Sequence, residues 1–259
     1  MDYNYIKNAA TGAAYGAAKI IAGHVGSLEH IDKKGPEDLV TSADIASEKY
    51  ILETLHEKFP DHDVLAEESG NSIKGGNGCL WIIDPLDGTT NFAHQLPIFS
   101  VSIAFAKDGE LKVGVVLNPL TGELFTATAG NGAFLNDRQI AVSGCTRLSE
   151  SLLVTGFPYD VKQDTTPYMK RFENCLKAAR GIRRLGSAAL DLCFVACGRF
   201  EGFWEQNLKP WDTAAGTLIA REAGAMVTDF SGEQFKPDKK ELLATNGHIH
   251  KELSSILRL

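Results

Sequence analysis

The stretch Trp81-Ile82-Ile83-Asp84-Pro85-Leu86-Asp87-Gly88-Thr89-Thr90-Asn91-Phe92 constrains what this chain can become more than any other. An apolar, aromatic-led run breaks into two aspartates separated by Pro85 and Leu86, and a Gly-Thr-Thr-Asn turn follows at once. That pattern is a strand delivering carboxylates to its own carboxyl end. Proline donates no ladder hydrogen bond and fixes its own φ, so the strand is expected to stop where Asp84 emerges. Two adjacent carboxylates repel each other unless a cation lies between them. Hard divalent ions, Mg²⁺ above all, take oxygen ligands, and Asp84, Asp87 and the Leu86 carbonyl supply such a set. Gly88 lets backbone approach a ligand, and the N–H groups of Gly88, Thr89 and Thr90 open a predicted helix and face an anion. The same residue types also make an ordinary Asp-Pro-x-Asp-Gly turn between strands, so the choice rests on the remainder of the chain.

With 259 residues, 44% hydrophobic and 23% charged, the chain is long enough for a large core and too apolar for disorder. One globular unit over 1–259 is expected, or two closely packed subdomains near 1–145 and 146–259. A net charge of −7 argues against a general nucleic-acid binder, whose footprint is basic. Met1-Asp2-Tyr3-Asn4 lacks a basic leader, and Lys7, Asn8, Thr11 and Lys19 interrupt the Ala-rich stretch behind it, so no signal peptide is expected. No apolar run approaches membrane-spanning length. The expectation is a soluble, cytoplasmic protein. Its five cysteines, with no Cys-x-x-Cys pair, leave one over in any full disulfide set and suit a reducing compartment. Cys193 and Cys197 share a helical face and read as small core residues.

Apolar residues at helical spacing from about Tyr3 to His24 predict an amphipathic first helix. Val25 to Glu37 is polar and reads as a mobile loop. Thr41 with Asp44 three residues on is a capping-box pattern ahead of a helix bearing Ile51, Leu55 and Phe59 on one face. Pro60-Asp61-His62-Asp63 reads as a solvated turn, and Val64-Leu65-Ala66 as a strand leading to Glu67-Glu68-Ser69. Lys74-Gly75-Gly76-Asn77-Gly78 lacks the Lys-Ser/Thr of a phosphate-binding loop and reads as a connector. Alternating runs from Ile98 to Ala106, Leu111 to Leu117, Glu123 to Thr128 and Gly132 to Leu135 predict an antiparallel meander rather than a Rossmann sheet. Beyond Leu152, strand and helix patterns alternate to the end. Gly186-Ser187-Ala188-Ala189 there is a helix start suited to an anionic or hydroxylated ligand, or a simple Ser N-cap. Pro210-Trp211-Asp212 opens another helix, and His248-Ile249-His250 reads as an exposed pair at the start of the last.

Three motifs carry a resemblance. Glu67-Glu68-Ser69 precedes the aspartate strand, Asp84-Pro85-Leu86-Asp87-Gly88-Thr89 ends it, and Trp211-Asp212-Thr213-Ala214-Ala215-Gly216 runs into a helix. In this order they resemble the signatures of the inositol monophosphatase family of Mg²⁺-dependent, lithium-sensitive phosphatases, covering the chain nearly end to end. The resemblance implies an α+β fold, a layered αβαβα sandwich with its site between the two halves, and a homodimer. It implies one Mg²⁺ on Glu67, Asp84 and the Leu86 carbonyl and a second on Asp84, Asp87 and Asp212. Four negative charges balance two such ions, and a bound phosphate dianion calls for a third.

The resemblance further makes Asp44 the acceptor of the Thr89 hydroxyl, which polarises the attacking water, with Glu67 as the third catalytic group. Gly88, Thr89, Gly186, Ser187, Ala188, Glu205 and Asp212 would contact the substrate, Lys33 would ride on a flap over the site, and Lys209 is either solvated or near the phosphate. The implied reaction is hydrolysis of a small phosphomonoester, myo-inositol 1-phosphate first. Relatives on the same scaffold handle fructose 1,6-bisphosphate, histidinol phosphate and adenosine 3′,5′-bisphosphate. No recognisable Ser/His/Asp set offers a covalent route. A reading of another class is a regulatory, partner-binding protein of RNA-associated machinery.

Overall fold

Asp2 caps the first helix by accepting the N–H groups of Asn4 and Tyr5 at 2.9 and 3.2 Å. The computed structural model describes residues 1–26, 31–33, 39–72, 76–158 and 160–259, of which 31–33, 39, 40 and 72 are described by backbone alone. In chain order, α1 (Tyr3–His24) leads to a short antiparallel hairpin, β1 (Ile31–Lys33) and β2 (Leu39–Thr41), and then to α2 (Ser42–Lys58). Next come β3 (Asp63–Ala66), β4 (Gly70–Ser72), β5 (Cys79–Asp87) and the single turn α3 (Thr89–Ala93). The meander follows as β6 (Ser100–Lys107), β7 (Glu110–Leu117), β8 (Leu124–Thr128), β9 (Ala133–Leu135) and β10 (Arg138–Ile140). The second half contributes β11 (Leu152–Thr155), α4 (Thr166–Ala178), β12 (Gly181–Arg183), α5 (Ala188–Ala196), β13 (Gly202–Gln206), α6 (Pro210–Glu222), β14 (Met226–Thr228), β15 (Glu241–Thr245) and α7 (His250–Leu257).

Two large sheets result. The first has the order β10-β9-β8-β7-β6-β5-β3-β4 and is antiparallel except where β3 lies parallel to β5. The second has the order β12-β11-β13-β15-β14, with β11 parallel to both its neighbours. Side chains alternate across a strand, and β5 shows the consequence. Trp81 and Ile83 pack with Ile21, Ile51 and Leu55 of α1 and α2. Ile82, on the other face, joins Leu190, Ala215 and Ile219 of α5 and α6 and Phe203 of the second sheet. A third cluster joins Leu153, Trp204 and Leu243 to Cys175 of α4 and Leu253 of α7. Helices, sheet, helices, sheet, helices: the layers are the αβαβα order of the expected α+β fold. Among the described residues no helix is long and apolar enough to cross a membrane.

Several local expectations are corrected. β5 does not stop at Asp84 but runs through Pro85 to Asp87. Asp84 pairs with Ser102 and Asp87 with Ser100, so one extra residue bulges out. A bulge is among the few places in a sheet where a missing N–H breaks no ladder bond. His62 is half-buried rather than fully solvated: its ring stacks on Phe59 at 4.8 Å and abuts Trp81 and Phe105, and burial lowers its pKa. His250 is buried, although His248 is exposed. Its Nε2 lies 3.0 Å from Thr228 Oγ1 and its Nδ1 2.9 Å from Thr245 Oγ1. Because the Thr228 hydroxyl donates to the Asp229 carbonyl at 2.6 Å, His250 donates from Nε2 and accepts at Nδ1. Docking of Ile249 and Leu253 into the core draws His250 in with them. The loop expected before α2 contains β1 and β2; its residues 27–30 and 34–38 and the Lys33 side chain lie outside the described residues, as do residues 73–75 of the glycine-rich connector.

α6 crosses the first sheet at backbone contact. A Cβ added at Gly114 in β7 would stand 2.7 Å from the Ala215 carbonyl oxygen. Gly114→Ala is therefore expected to destabilise the protein by about 1–3 kcal/mol, the usual cost of overpacking. The measurement is the urea midpoint; a midpoint equal to that of the parent would show that α6 does not sit so close.

Candidate active site

One cavity of about 420 Å³ opens between the two sheets. Glu67, Asp84, Leu86, Asp87, Gly88 and Thr89 reach it from the first half of the chain, and Gly186, Ser187, Ala188, Glu205 and Asp212 from the second. Among the described residues, Asp44 is the one expected site residue that does not line it; it is buried directly behind Thr89.

The bulge at Pro85 sets the two aspartates. Asp84 Oδ1 accepts the Leu86 N–H at 3.0 Å, a tight local turn of the kind aspartate favours. Ser47 Oγ donates to the Pro85 carbonyl at 2.9 Å from α2. Asp87 meets the amino end of α5: Oδ2 accepts Ser187 Oγ at 2.5 Å and the Ala189 N–H at 2.9 Å, and Oδ1 accepts the Ala188 N–H at 3.3 Å. Gly88 follows with φ 96°, and a Cβ there would lie 3.0 Å from the Ile98 carbonyl and 3.1 Å from that of Gly186. Any side chain there would be strained by the φ and would crowd both carbonyls.

Thr89 Oγ1 lies 3.1 Å from both Asp44 Oδ1 and the Leu86 carbonyl. Asp44 Oδ2 meanwhile accepts the Thr41 N–H at 2.8 Å and the Thr41 hydroxyl, completing the capping box of α2. The capping contact and the contact to Thr89 occur together, one on each oxygen of Asp44. Asp212 likewise lines the cavity while its Oδ2 accepts the Lys209 N–H at 2.7 Å at the start of α6.

Sequence reasoning missed several contributors. Asn91 Nδ2 donates to the Ile98 and Leu185 carbonyls at 2.7 and 2.8 Å and so ties the two halves together beside the cavity. Its place directly after Thr89-Thr90 was the available signal. Arg184 lines the cavity with no motif to announce it, and Phe157, Val161, Leu208 and Trp211 supply an apolar wall. Glu48, in the predicted second helix, accepts the N–H groups of Glu68 and Ser69 at 2.8 Å each.

The profile of the inositol monophosphatase family matches residues 2–258. The chain belongs to that family. A protein of Synechocystis named inositol-1-monophosphatase is 46% identical over 96% of this chain and 87% of its own length. The Nus factor SuhB of Escherichia coli K12 is 41% identical over 97% of this chain and 95% of its own. A crystal structure of the extragenic suppressor protein suhB from Bartonella henselae matches with a TM-score of 0.95 at 42% identity, covering 98% of each chain. Membership makes the protein a phosphatase of a generally metal-dependent family.

The electrostatics of this inositol monophosphatase homologue fit that membership. Burial pushes Asp84 well above the ordinary carboxylate range, with the charges of Glu67, Asp87 and Asp212 adding to it. Burial raises Asp87 to about 6 against the opposing bonds from Ser187, Ala189 and Ala188. It raises Glu205 to about 8, opposed by the Arg184 charge, and Asp212 to about 8. The donors are all oxygen and carry surplus negative charge, which suits a hard divalent cation and not a soft one. Among the described residues, no three acidic, histidine or cysteine side chains gather tightly enough to enclose an ion as they stand. Repulsion of the kind that raises Asp84 opposes their closing up.

The sign of the pH dependence follows. Asp212 moves from 3.8 to about 8 and Glu205 from 4.5 to about 8, so each binds its proton more tightly folded than unfolded. Their contribution to stability is full below the unfolded values and is lost as pH rises through the folded ones. Chelated protein is expected to show Tm falling between pH 5 and 8, and Asp212→Asn with Glu205→Gln should flatten the fall. A slope unchanged by both substitutions would remove these groups as its cause.

Proposed function

We propose that the protein hydrolyses a phosphomonoester, myo-inositol 1-phosphate foremost, to the free alcohol and phosphate with Mg²⁺ held among its carboxylates. One observation carries this reading: Glu67, Asp84, Asp87 and Asp212, from three separate segments, face the same cavity. Glu67, Asp84 and the Leu86 carbonyl would hold one ion, and Asp84, Asp87 and Asp212 a second, with charge balance favouring a third once phosphate is present. Bound there, such ions would neutralise phosphate charge and lower the pKa of a coordinated water.

The chain's own groups have the remaining tasks. Thr89 directs its hydroxyl proton toward Asp44 and the Leu86 carbonyl, 3.1 Å from each, which leaves its lone pairs to accept a proton from water. Burial raises the pKa of Asp44, the bonds from Thr41 and Thr89 opposing, and a raised pKa makes a better proton acceptor. Attack in line on phosphorus then needs no covalent enzyme intermediate. Gly88 and Thr89 would meet the phosphate, and Glu205, Asp212, Gly186, Ser187 and Ala188 the substrate hydroxyls, with Ser187 and Ala188 also bracing Asp87. The reading includes a homodimer, a cytoplasmic location, inhibition by lithium and no general binding of nucleic acid.

A regulatory role in RNA-associated machinery stands beside catalysis as a second reading, favoured by the 41% identity to a Nus factor along 97% of the chain. A pull-down whose partners survive Asp84→Asn would support it.

Asp84→Asn should cut kcat/KM by about 10²–10³-fold, the scale of losing one preorganised electrostatic group, with the fold retained. Thr89→Ala should cost about 10²–10⁴-fold in kcat, the scale of general-base help. Full turnover of Asp84→Asn, or of chelated protein, would end the metal assignment. Phosphate release from myo-inositol 1-phosphate, fructose 1,6-bisphosphate, histidinol phosphate and adenosine 3′,5′-bisphosphate decides the substrate; a preference for any of the last three replaces the first.

A further inference from the structure

α2 carries three polar residues at i, i+3 and i+4, Asp44, Ser47 and Glu48, a spacing that puts them on one helical face. Their exposures are 1%, 0% and 4%, so this polar face points into the protein. Each grips a different point beside the cavity. Asp44 receives the Thr89 hydroxyl after β5, Ser47 holds the Pro85 carbonyl in the bulge, and Glu48 holds the turn between β3 and β4. Two segments that meet only in the fold, residues 85–89 and the turn between β3 and β4, are thus referred to one rigid rod.

Glu48 is the least explained of the three. Its two oxygens accept separate backbone N–H groups, Oε2 from Glu68 and Oε1 from Ser69, at 2.8 Å each. Both are charge-assisted bonds, and together they offset the cost of burying a carboxylate. A neutral asparagine or serine caps a turn without that cost. What a carboxylate adds is a two-point grip, which fixes the orientation of the peptide planes as well as their position. The gripped planes follow directly on Glu67, whose own N–H donates to the Ile83 carbonyl at 3.2 Å on β5. Glu67 is therefore fastened to β5 on one side and to α2 on the other.

We propose that Glu48 is a positioning residue: it holds the Glu67 turn in register with Asp84 and so sets the affinity of the site for its metal ion. The proposal rests on the reading of Glu67 as a metal ligand. Residues that orient a ligand from behind change metal affinity by about 10–100-fold when replaced. Glu48 lines no part of the cavity, so its loss should leave the chemical step at saturating metal largely intact.

The test titrates Mg²⁺ into Glu48→Gln, Glu48→Ala and Glu67→Gln and reads binding by calorimetry and by the Mg²⁺-induced rise in Tm, beside phosphomonoester turnover. Glu48→Gln keeps the volume and one acceptor, so it serves if Glu48→Ala does not fold. Both Glu48 variants are expected to raise the Mg²⁺ half-saturation by about 10–100-fold, while kcat at saturating Mg²⁺ stays within about threefold of the parent. A lower Tm with unchanged Mg²⁺ half-saturation would make Glu48 purely structural and overturn the proposal. A fall in kcat that saturating Mg²⁺ does not restore would overturn it too. If Glu67→Gln binds Mg²⁺ like the parent, it is the ligand reading beneath the proposal that fails.

Discussion

Mutual repulsion among carboxylates is the condition to which the surrounding structure answers. Asp84 and Asp87 are buried beside one cavity that Glu67 and Asp212 also line, and Glu67, Asp87 and Asp212 each add to the electrostatic cost of Asp84. Left unpaired, such groups cost several kcal/mol apiece. They stay in place because backbone and hydroxyl donors hold them from behind: Leu86 on Asp84, the α5 amino end on Asp87, and Lys209 on Asp212. These bonds favour the ionised forms without cancelling the charge that faces the cavity. The surplus is what suits the site to cations and to the phosphatase chemistry of its family.

Layering explains how distant residues meet there. α5 and α6 lie between the sheets, and the core they share draws on both halves of the chain. Asp212 enters the cavity only because α6 packs backbone-close against the first sheet, as the contact between Gly114 and Ala215 records. Ser102 on β6 adds a hydroxyl bond to the Trp211 carbonyl at 3.3 Å, one residue before Asp212. Asn91 fastens the opposite side. The cavity is thus an interface within one chain, and the stability of the fold and the geometry of the site rest on the same contacts.

Competing interpretations of single residues turned out to coexist. Asp44 caps a helix and meets Thr89; Asp212 bonds the start of a helix and lines the cavity; Ser187 caps α5 and braces Asp87. A carboxylate has two oxygens with several lone pairs, and a hydroxyl both donates and accepts, so one side chain can cap a helix and still meet a neighbour at the cavity. Weighing cap against site from the motif alone sets up an opposition that the geometry dissolves.

Local pattern carried much of the legible content. The extent of α1, the meander, the alternation of strands and helices beyond Leu152 and the convergence of motif residues could be read from periodicity, turn chemistry and family resemblance. These depend on near neighbours in the chain or on short motifs. The continuation of β5 through Pro85 depends instead on its pairing with β6, and the burial of His62 and His250 on aromatic rings and threonine hydroxyls remote in sequence. Glu48 finds its acceptor role 20 residues away and Asn91 part of its own 94 residues away. A side chain's solvent, charge and hydrogen-bond environment is summed over everything packed against it, and packing brings together residues whose separation along the chain leaves no periodic trace.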